Sequence, residues 1–240
     1  MRAAATHLVP VTLELGGKSP AIVAQGADLT KVAGKIVFGK LANAGQVCMA
    51  PDFALVHRKD RDAFVTAIRV EMQRQYPNVN HNPDFTNVHL PRQRARLAAL
   101  VEEAAQRGAN VITLSGESVA ELAGTTRFPP VIVVNPPLDC RLMREEVFGP
   151  ILPVVSYERF EDLPALLGKF SRPLAMYYLG GTRAQKDIML RSTWAGGMSF
   201  DDIMLHPFMQ DLPFGGVGES GMGRYLGHQG FKTFSNAKAV

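Results

Sequence analysis

Cys48 and Glu14 are the two side chains of this 240-residue chain whose neighbours suggest covalent chemistry. Cys48 stands in Asn43-Ala44-Gly45-Gln46-Val47-Cys48-Met49-Ala50-Pro51-Asp52-Phe53, and Glu14 in Leu13-Glu14-Leu15-Gly16-Gly17-Lys18-Ser19-Pro20, 34 residues earlier. A thiol that attacks a carbonyl and a carboxylate that activates the releasing water are the two halves of an acyl-enzyme reaction. A free cysteine is more often inert core packing, and a nucleophile needs a helix N-terminus or neighbouring donors to gain thiolate character. Gly45 permits close approach of backbone and substrate, and Pro51 limits any regular helix starting at the thiol, so Cys48 is expected on a turn. Glu14 can be read as an edge-exposed polar residue. The Leu15-Gly16-Gly17 that follows suggests instead a strand ending in a cleft, where the carboxyl ends of strands in α/β sheets form sites. A carboxylate partly buried there would titrate high, which suits a general base.

Other chemistries have less support. Cys140, in Pro136-Pro137-Leu138-Asp139-Cys140-Arg141, has no partner pattern and reads as structural. The six histidines show no ligand spacing and no CxxC occurs, so no metal site is expected. Gly218-Glu219-Ser220-Gly221 has the wrong spacing for a serine elbow. The glycine-rich stretch from Leu212 to Arg224 is neither GxGxxG after a strand nor a P-loop, and reads as a long shaped loop. The net charge of +4 comes from 26 basic and 22 acidic residues interleaved without a polybasic block, which argues against nucleic acid. No apolar run reaches the length of a membrane span, and the first ten residues make no convincing signal peptide. Two cysteines make no disulfide framework and suit a reducing, cytoplasmic setting.

The elements that must position these residues read as alternating strands and helices. Strands are expected over residues 9–15, 20–24, 53–57, 109–114, 131–135, 151–157 and 174–179. Helices are expected over 31–42, capped by Asp28 or Thr30, from Asp60 or Asp62 to about Tyr76, and over 92–107, 162–168 and 182–192. Residues 77–91 read as a loop, and 143–148 as a turn or helix start. Strands and helices at this spacing imply an α/β fold with a largely parallel sheet.

Five blocks together resemble the aldehyde dehydrogenase family. Leu13-Glu14-Leu15-Gly16-Gly17-Lys18-Ser19-Pro20 is similar to its glutamate motif, and Gly45-Gln46-Val47-Cys48 to its cysteine motif. Glu145-Glu146-Val147-Phe148-Gly149-Pro150 resembles the block that holds the nicotinamide ribose. Pro173-Leu174-Ala175 and the segment from Pro213 to Gly223 resemble blocks further on, in the family's order. Ala50-Pro51-Asp52-Phe53 and the ending from Gly230 to Val240 resemble the class-3-like branch, and within it the bacterial coniferyl aldehyde dehydrogenases. Two positions depart from the pattern: Asp201-Asp202 stands where Asn-Asp is usual, and Leu226 where His is common.

The resemblance implies NAD(P)-dependent oxidation of an aromatic or medium-chain aldehyde, such as coniferyl aldehyde, to its acid. Cys48 would form the thiohemiacetal and thioester, Glu14 would activate water, and the Cys48 N–H would donate one oxyanion hydrogen bond. Leu15, Gly16, Glu146 and Phe148 would border NAD or NADP. The resemblance spans the whole chain but only about the second half of the family's length. It therefore implies the family's catalytic-domain fold without most of the N-terminal Rossmann-type domain. Residues 1–14 would be a remnant of that cofactor domain, 15–205 the nucleophile domain, and 206–240 a segment returning to the cofactor and oligomerisation region. Full-length members pair subunits across sheet edges, so a homodimer is expected for the complete enzyme. Two alternatives use less of the machinery: a weak thiol esterase, or a fragment with only a structural or interaction role.

Overall fold

Short runs of apolar, β-branched and aromatic residues with little polar alternation make strands that are buried on both faces. The computed structural model describes residues 1–79, 81–115, 118–122 and 124–240. In chain order its first half contains α1 (Arg2–Thr6), β1 (Leu13–Glu14), β2 (Pro20–Val23), α2 (Leu29–Leu41), β3 (Phe53–His57), α3 (Arg61–Gln75) and α4 (Pro91–Gln106). Then follow β4 (Asn110–Thr113), β5 (Val131–Val134), α5 (Arg141–Arg144), β6 (Ile151–Tyr157), α6 (Leu163–Leu167) and β7 (Ala175–Leu179). The chain closes with α7 (Arg183–Ser192), β8 (Gly197–Phe200), β9 (Gly221–Met222) and α8 (Gly227–Thr233).

The main sheet runs β4-β5-β6-β3-β2-β7-β8. Every neighbouring pair is parallel except β4 against β5. Every residue of β2, β3, β5 and β7 is buried, with Ile22, Phe53, Leu55, Tyr177 and Tyr178 among the largest side chains enclosed. Asp28 caps α2 by accepting from the Lys31 N–H at 3.2 Å, and Val32, Ala33, Ile36 and Val37 point that helix into the core, where it packs along α3. The four inward residues read from sequence in α4, Leu97, Leu100, Val101 and Ala104, are all buried. Thr182 opens α7 with a reciprocal capping box to Gln185.

One expectation changes. The strand read over 9–15 shortens to Leu13–Glu14 and lies outside the main sheet, in an antiparallel pair with β9. Pro10 offers no N–H, and β9 supplies only Gly221 and Met222 as partners, so nothing extends the ladder. The strand after α4 joins the largely parallel sheet as an antiparallel edge. Three elements were not expected: β8, only four residues long, β9, within the stretch read as a loop, and α8, whose seven residues include two glycines.

Candidate active site

Glu14, Cys48 and the 146–148 segment lie just ahead of β2, β3 and β6, at the amino ends of parallel strands. The site is therefore at the opposite end of the sheet from the one expected. It arises because three connecting segments meet, not because of the usual crevice at the carboxyl ends.

The Cys48 segment is locked before the thiol is reached. A 3-10 turn over Ala42–Gly45 carries Asn43 and Ala44 in the left-handed region, at φ 50° and 51°. Asn43 Nδ2 donates to Gln46 O at 3.1 Å, Gln46 Nε2 returns to Asn43 O at 3.0 Å, and the same amide reaches Asn87 O at 3.1 Å. A Cβ at Gly45 would lie 2.3 Å from Gly149 O, so only glycine lets this turn press on the segment after Glu146. Cys48 follows on a tight turn closed by Ala50 N to Val47 O at 3.0 Å, and the buried Tyr177 hydroxyl donates to Met49 O at 2.6 Å. The expectation of a thiol on a turn holds.

Cys48 Sγ donates to Glu14 Oε1 across 3.3 Å, and the other carboxylate oxygen accepts from the Tyr225 hydroxyl. The Glu14 side chain is exposed, not partly buried as expected. Cys48 is intermediate in exposure. Its thiol is pushed up to about 11, first by burial and then by the hydrogen bond and negative charge of Glu14, while its own backbone N–H acts the other way. At neutral pH Cys48 therefore rests as the thiol. Exchanging Glu14 for neutral Gln removes the negative charge that opposes ionisation, so the thiolate forms at lower pH. The pH profile of iodoacetamide alkylation should have its midpoint near 11 in the parent chain and move down in Glu14→Gln. Buried Cys140 leaves the profile to Cys48. An unmoved midpoint would contradict the contact.

Of the residues read as cofactor neighbours, Gly16 and Glu146 are brought together. Gly16 has φ +77°, and a Cβ there would fall 2.8 Å from Glu146 Oε1, so the carboxylate lies directly against the backbone. Glu146 is pushed up to about 7, chiefly by burial. The Gly17 N–H that hydrogen-bonds it acts the other way, and the Asp52 charge adds to the rise. Leu15 and Phe148 are exposed; Leu15 N donates to Ser220 O at 3.0 Å, and Phe148 adopts φ 47°. Helix α4 secures this segment from outside: Arg96 donates to Glu146 O at 3.1 Å and to Val147 O, and Gln93 Nε2 to Phe148 O at 3.1 Å. Among the described residues no group of three or more His, Cys, Asp or Glu is arranged to hold a metal ion.

Beneath these residues a buried ion pair joins all three segments. Lys18 Nζ donates to Asp52 Oδ2, to Leu142 O at 2.9 Å and to Glu145 O at 3.0 Å, while Asp52 Oδ1 accepts from Val147 N at 2.8 Å. Lys18 follows Gly16-Gly17, and Asp52 follows the thiol turn, so the pair clamps the glutamate, cysteine and 146–148 segments together. Neither residue stands out in the sequence by its own pattern, although a Lys and an Asp at the mouths of two buried strands are a signal that they pair. The same holds for Tyr177, Arg96 and Tyr225, whose roles depend on distant chain segments meeting.

Comparison with protein families matches residues 1–240 to the aldehyde dehydrogenase family. A probable coniferyl aldehyde dehydrogenase of Pseudomonas aeruginosa is 45% identical over 240 residues, 100% of this chain and 49% of that protein. The structure of Staphylococcus aureus AldH in a substrate-bound state superposes with a TM-score of 0.89 at 33% identity, covering 100% of this chain and 52% of that one. An NAD-dependent aldehyde dehydrogenase from Sinorhizobium meliloti gives 0.86 at 26% identity, covering 100% and 47%. The chain thus spans about half the length of the relatives it matches. Taken with the thiol, carboxylate and clamp described above, the match along its whole length shows that the chain belongs to the aldehyde dehydrogenase family.

Proposed function

We propose that this chain carries the nucleophile half of an NAD(P)-dependent aldehyde dehydrogenase, acting on an aromatic or medium-chain aldehyde such as coniferyl aldehyde. The observation that carries this reading is the contact between Cys48 Sγ and Glu14 Oε1. As sulfur bonds to the aldehyde carbon, its proton leaves to solvent, and the Cys48 N–H would face the forming oxyanion. NAD or NADP, when bound, supplies the hydride acceptor that turns this adduct into a thioester. After that proton has left to solvent, Glu14 accepts one from the attacking water, the C–O bond forms, the C–S bond breaks, and Cys48 is freed with the carboxylic acid.

The residues present fit the nicotinamide-ribose end of such a cofactor. Glu146 offers a half-buried carboxylate, the acceptor that a pair of hydroxyl donors needs, and Gly16 leaves it room against the backbone. Phe148 two residues on offers an exposed flat face, and Leu15 an exposed apolar one. The same reading divides the chain at residues 14 and 205, sets it in the cytoplasm with both cysteines free, and pairs complete enzymes as homodimers. No helix among the described residues is long and apolar enough to cross a membrane. A second reading, hydrolysis of activated esters without cofactor, is favoured by the fact that both Cys48 and Glu14 lie within this chain.

The test is aldehyde-dependent reduction of NAD+ or NADP+ with coniferyl aldehyde or benzaldehyde, followed by the absorbance of the reduced nicotinamide. Acid and reduced cofactor should form together and be lost in Cys48→Ser. Turnover that survives Cys48→Ser would refute the proposal.

A further inference from the structure

Glu14 is an exposed side chain on a strand of two residues, a poor platform for a base that must keep one oxygen on a sulfur atom. What restrains it comes from the far end of the chain. The Tyr225 hydroxyl donates to Glu14 Oε2, which leaves Oε1 turned to Cys48 Sγ. Tyr225 is itself well seated. Its backbone exchanges hydrogen bonds with Phe214, at 2.7 Å and 2.8 Å, and its ring stands edge-on to the Phe214 ring at 5.7 Å between centroids. Just before it, β9 pairs with β1, placing Gly221 opposite Glu14, and Thr233 Oγ1 in α8 donates to Arg224 O at 2.7 Å. The aromatic row continues from Phe214 to His206 at 5.8 Å and on to Tyr177 at 6.3 Å, whose hydroxyl grips Met49 O. One tyrosine thus fixes the turn of the nucleophile and another fixes the base.

We propose that Tyr225 is a positioning residue for Glu14: its hydroxyl holds the carboxylate so that Oε1 faces the sulfur of Cys48 and the water that attacks the thioester there. This rests on the reading of Cys48 and Glu14 given above. Burial and the neighbouring Glu14 push the Tyr225 hydroxyl up to about 12, so it keeps its proton and remains a donor throughout turnover. The deacylation proton goes from water to Glu14 Oε1, and Tyr225 neither gains nor loses one.

The test is a double-mutant cycle on this chain with p-nitrophenyl acetate, reading the initial burst and the steady-state rate separately. Tyr225→Phe removes the hydroxyl and leaves the ring against Phe214. It should slow the steady state by about 10- to 100-fold, the loss of one hydrogen bond to a charged group, with the burst retained. In a Glu14→Gln background the same change should alter the rate by less than about twofold, because the base that the hydroxyl positions is already gone. A residue that merely supported the fold would slow both backgrounds equally. Equal slowing in both, or a Tyr225→Phe rate equal to the parent's, would overturn the proposal while leaving Cys48 and Glu14 in place. Hydrolysis that persists in Cys48→Ser would instead refute the site itself, and the proposal with it.

Discussion

Replacing Glu14 by Gln is expected to slow steady-state hydrolysis of p-nitrophenyl acetate by about 10²–10⁴, the usual contribution of a positioned general base, while the initial burst of nitrophenolate remains. The two phases separate because Glu14 has different relations to them. In the resting site its charge opposes ionisation of Cys48, together with burial, so removing it makes the thiolate easier to form and does not obstruct acylation. In deacylation the attacking water needs an acceptor for its proton, and Glu14 is the carboxylate in contact with the sulfur that carries the acyl group. Gln occupies the same space and can still accept a hydrogen bond from Tyr225, so a loss confined to the second phase reports the missing base. Equal loss of both phases, or of neither, would contradict the role.

The second large effect is on stability. Asp52→Leu should destabilise the chain by roughly 3–5 kcal/mol, the cost of leaving one member of a buried ion pair without its partner. Lys18 and Asp52 are each only 3% exposed, and the same Asp52 carboxylate also accepts from Val147 N. A third buried charge makes the two single changes unequal. Lys40 is buried as well, and burial pulls it down to about 8 against the favourable pull of Asp52 and with the repulsion of Lys18. Asp52→Leu leaves two buried lysines that repel each other, whereas Lys18→Met leaves Asp52 the attraction of Lys40, so the aspartate variant should be the weaker. Lys18→Met combined with Asp52→Leu should lose less than the sum of the two, since no member of the pair is then left alone. Urea unfolding of the three variants measures this; additive losses, or an Asp52→Leu change under about 1 kcal/mol, would show that the pair is not the clamp described. Against a typical total of ~5–15 kcal/mol, the single aspartate change takes much of the domain's margin.

Much of this was legible in the sequence, and the parts that were not share a cause. Strands β2, β3, β6 and β7 announce themselves as apolar, β-branched and aromatic runs, and Asp28 and Thr182 mark helix starts through their own side chains. Cys48 and Glu14 were visible because their segments carry glycines and polar residues that no core strand needs. What escaped depends on pairing between remote segments. Strand β1 is two residues long because β9 is, and nothing near Leu13 says so. Tyr225 meets Glu14 across 211 residues of sequence. The site's end of the sheet could not be read either, because a rule for where crevices form gave way to three loops drawn together by Lys18 and Asp52. The exposure of Glu14 belongs with these, since it follows from β1 leaving the main sheet.

In the proposed reaction Cys48 carries the acyl group and Glu14 releases it. Mass spectrometry of the Glu14→Gln chain after brief exposure to p-nitrophenyl acetate tests it most directly. One acetyl group is expected on the peptide containing Cys48 in Glu14→Gln, persisting long after the parent chain has lost its own, and none in Cys48→Ser. An acetyl group on Cys140, or no adduct at Cys48 in either chain, would contradict it.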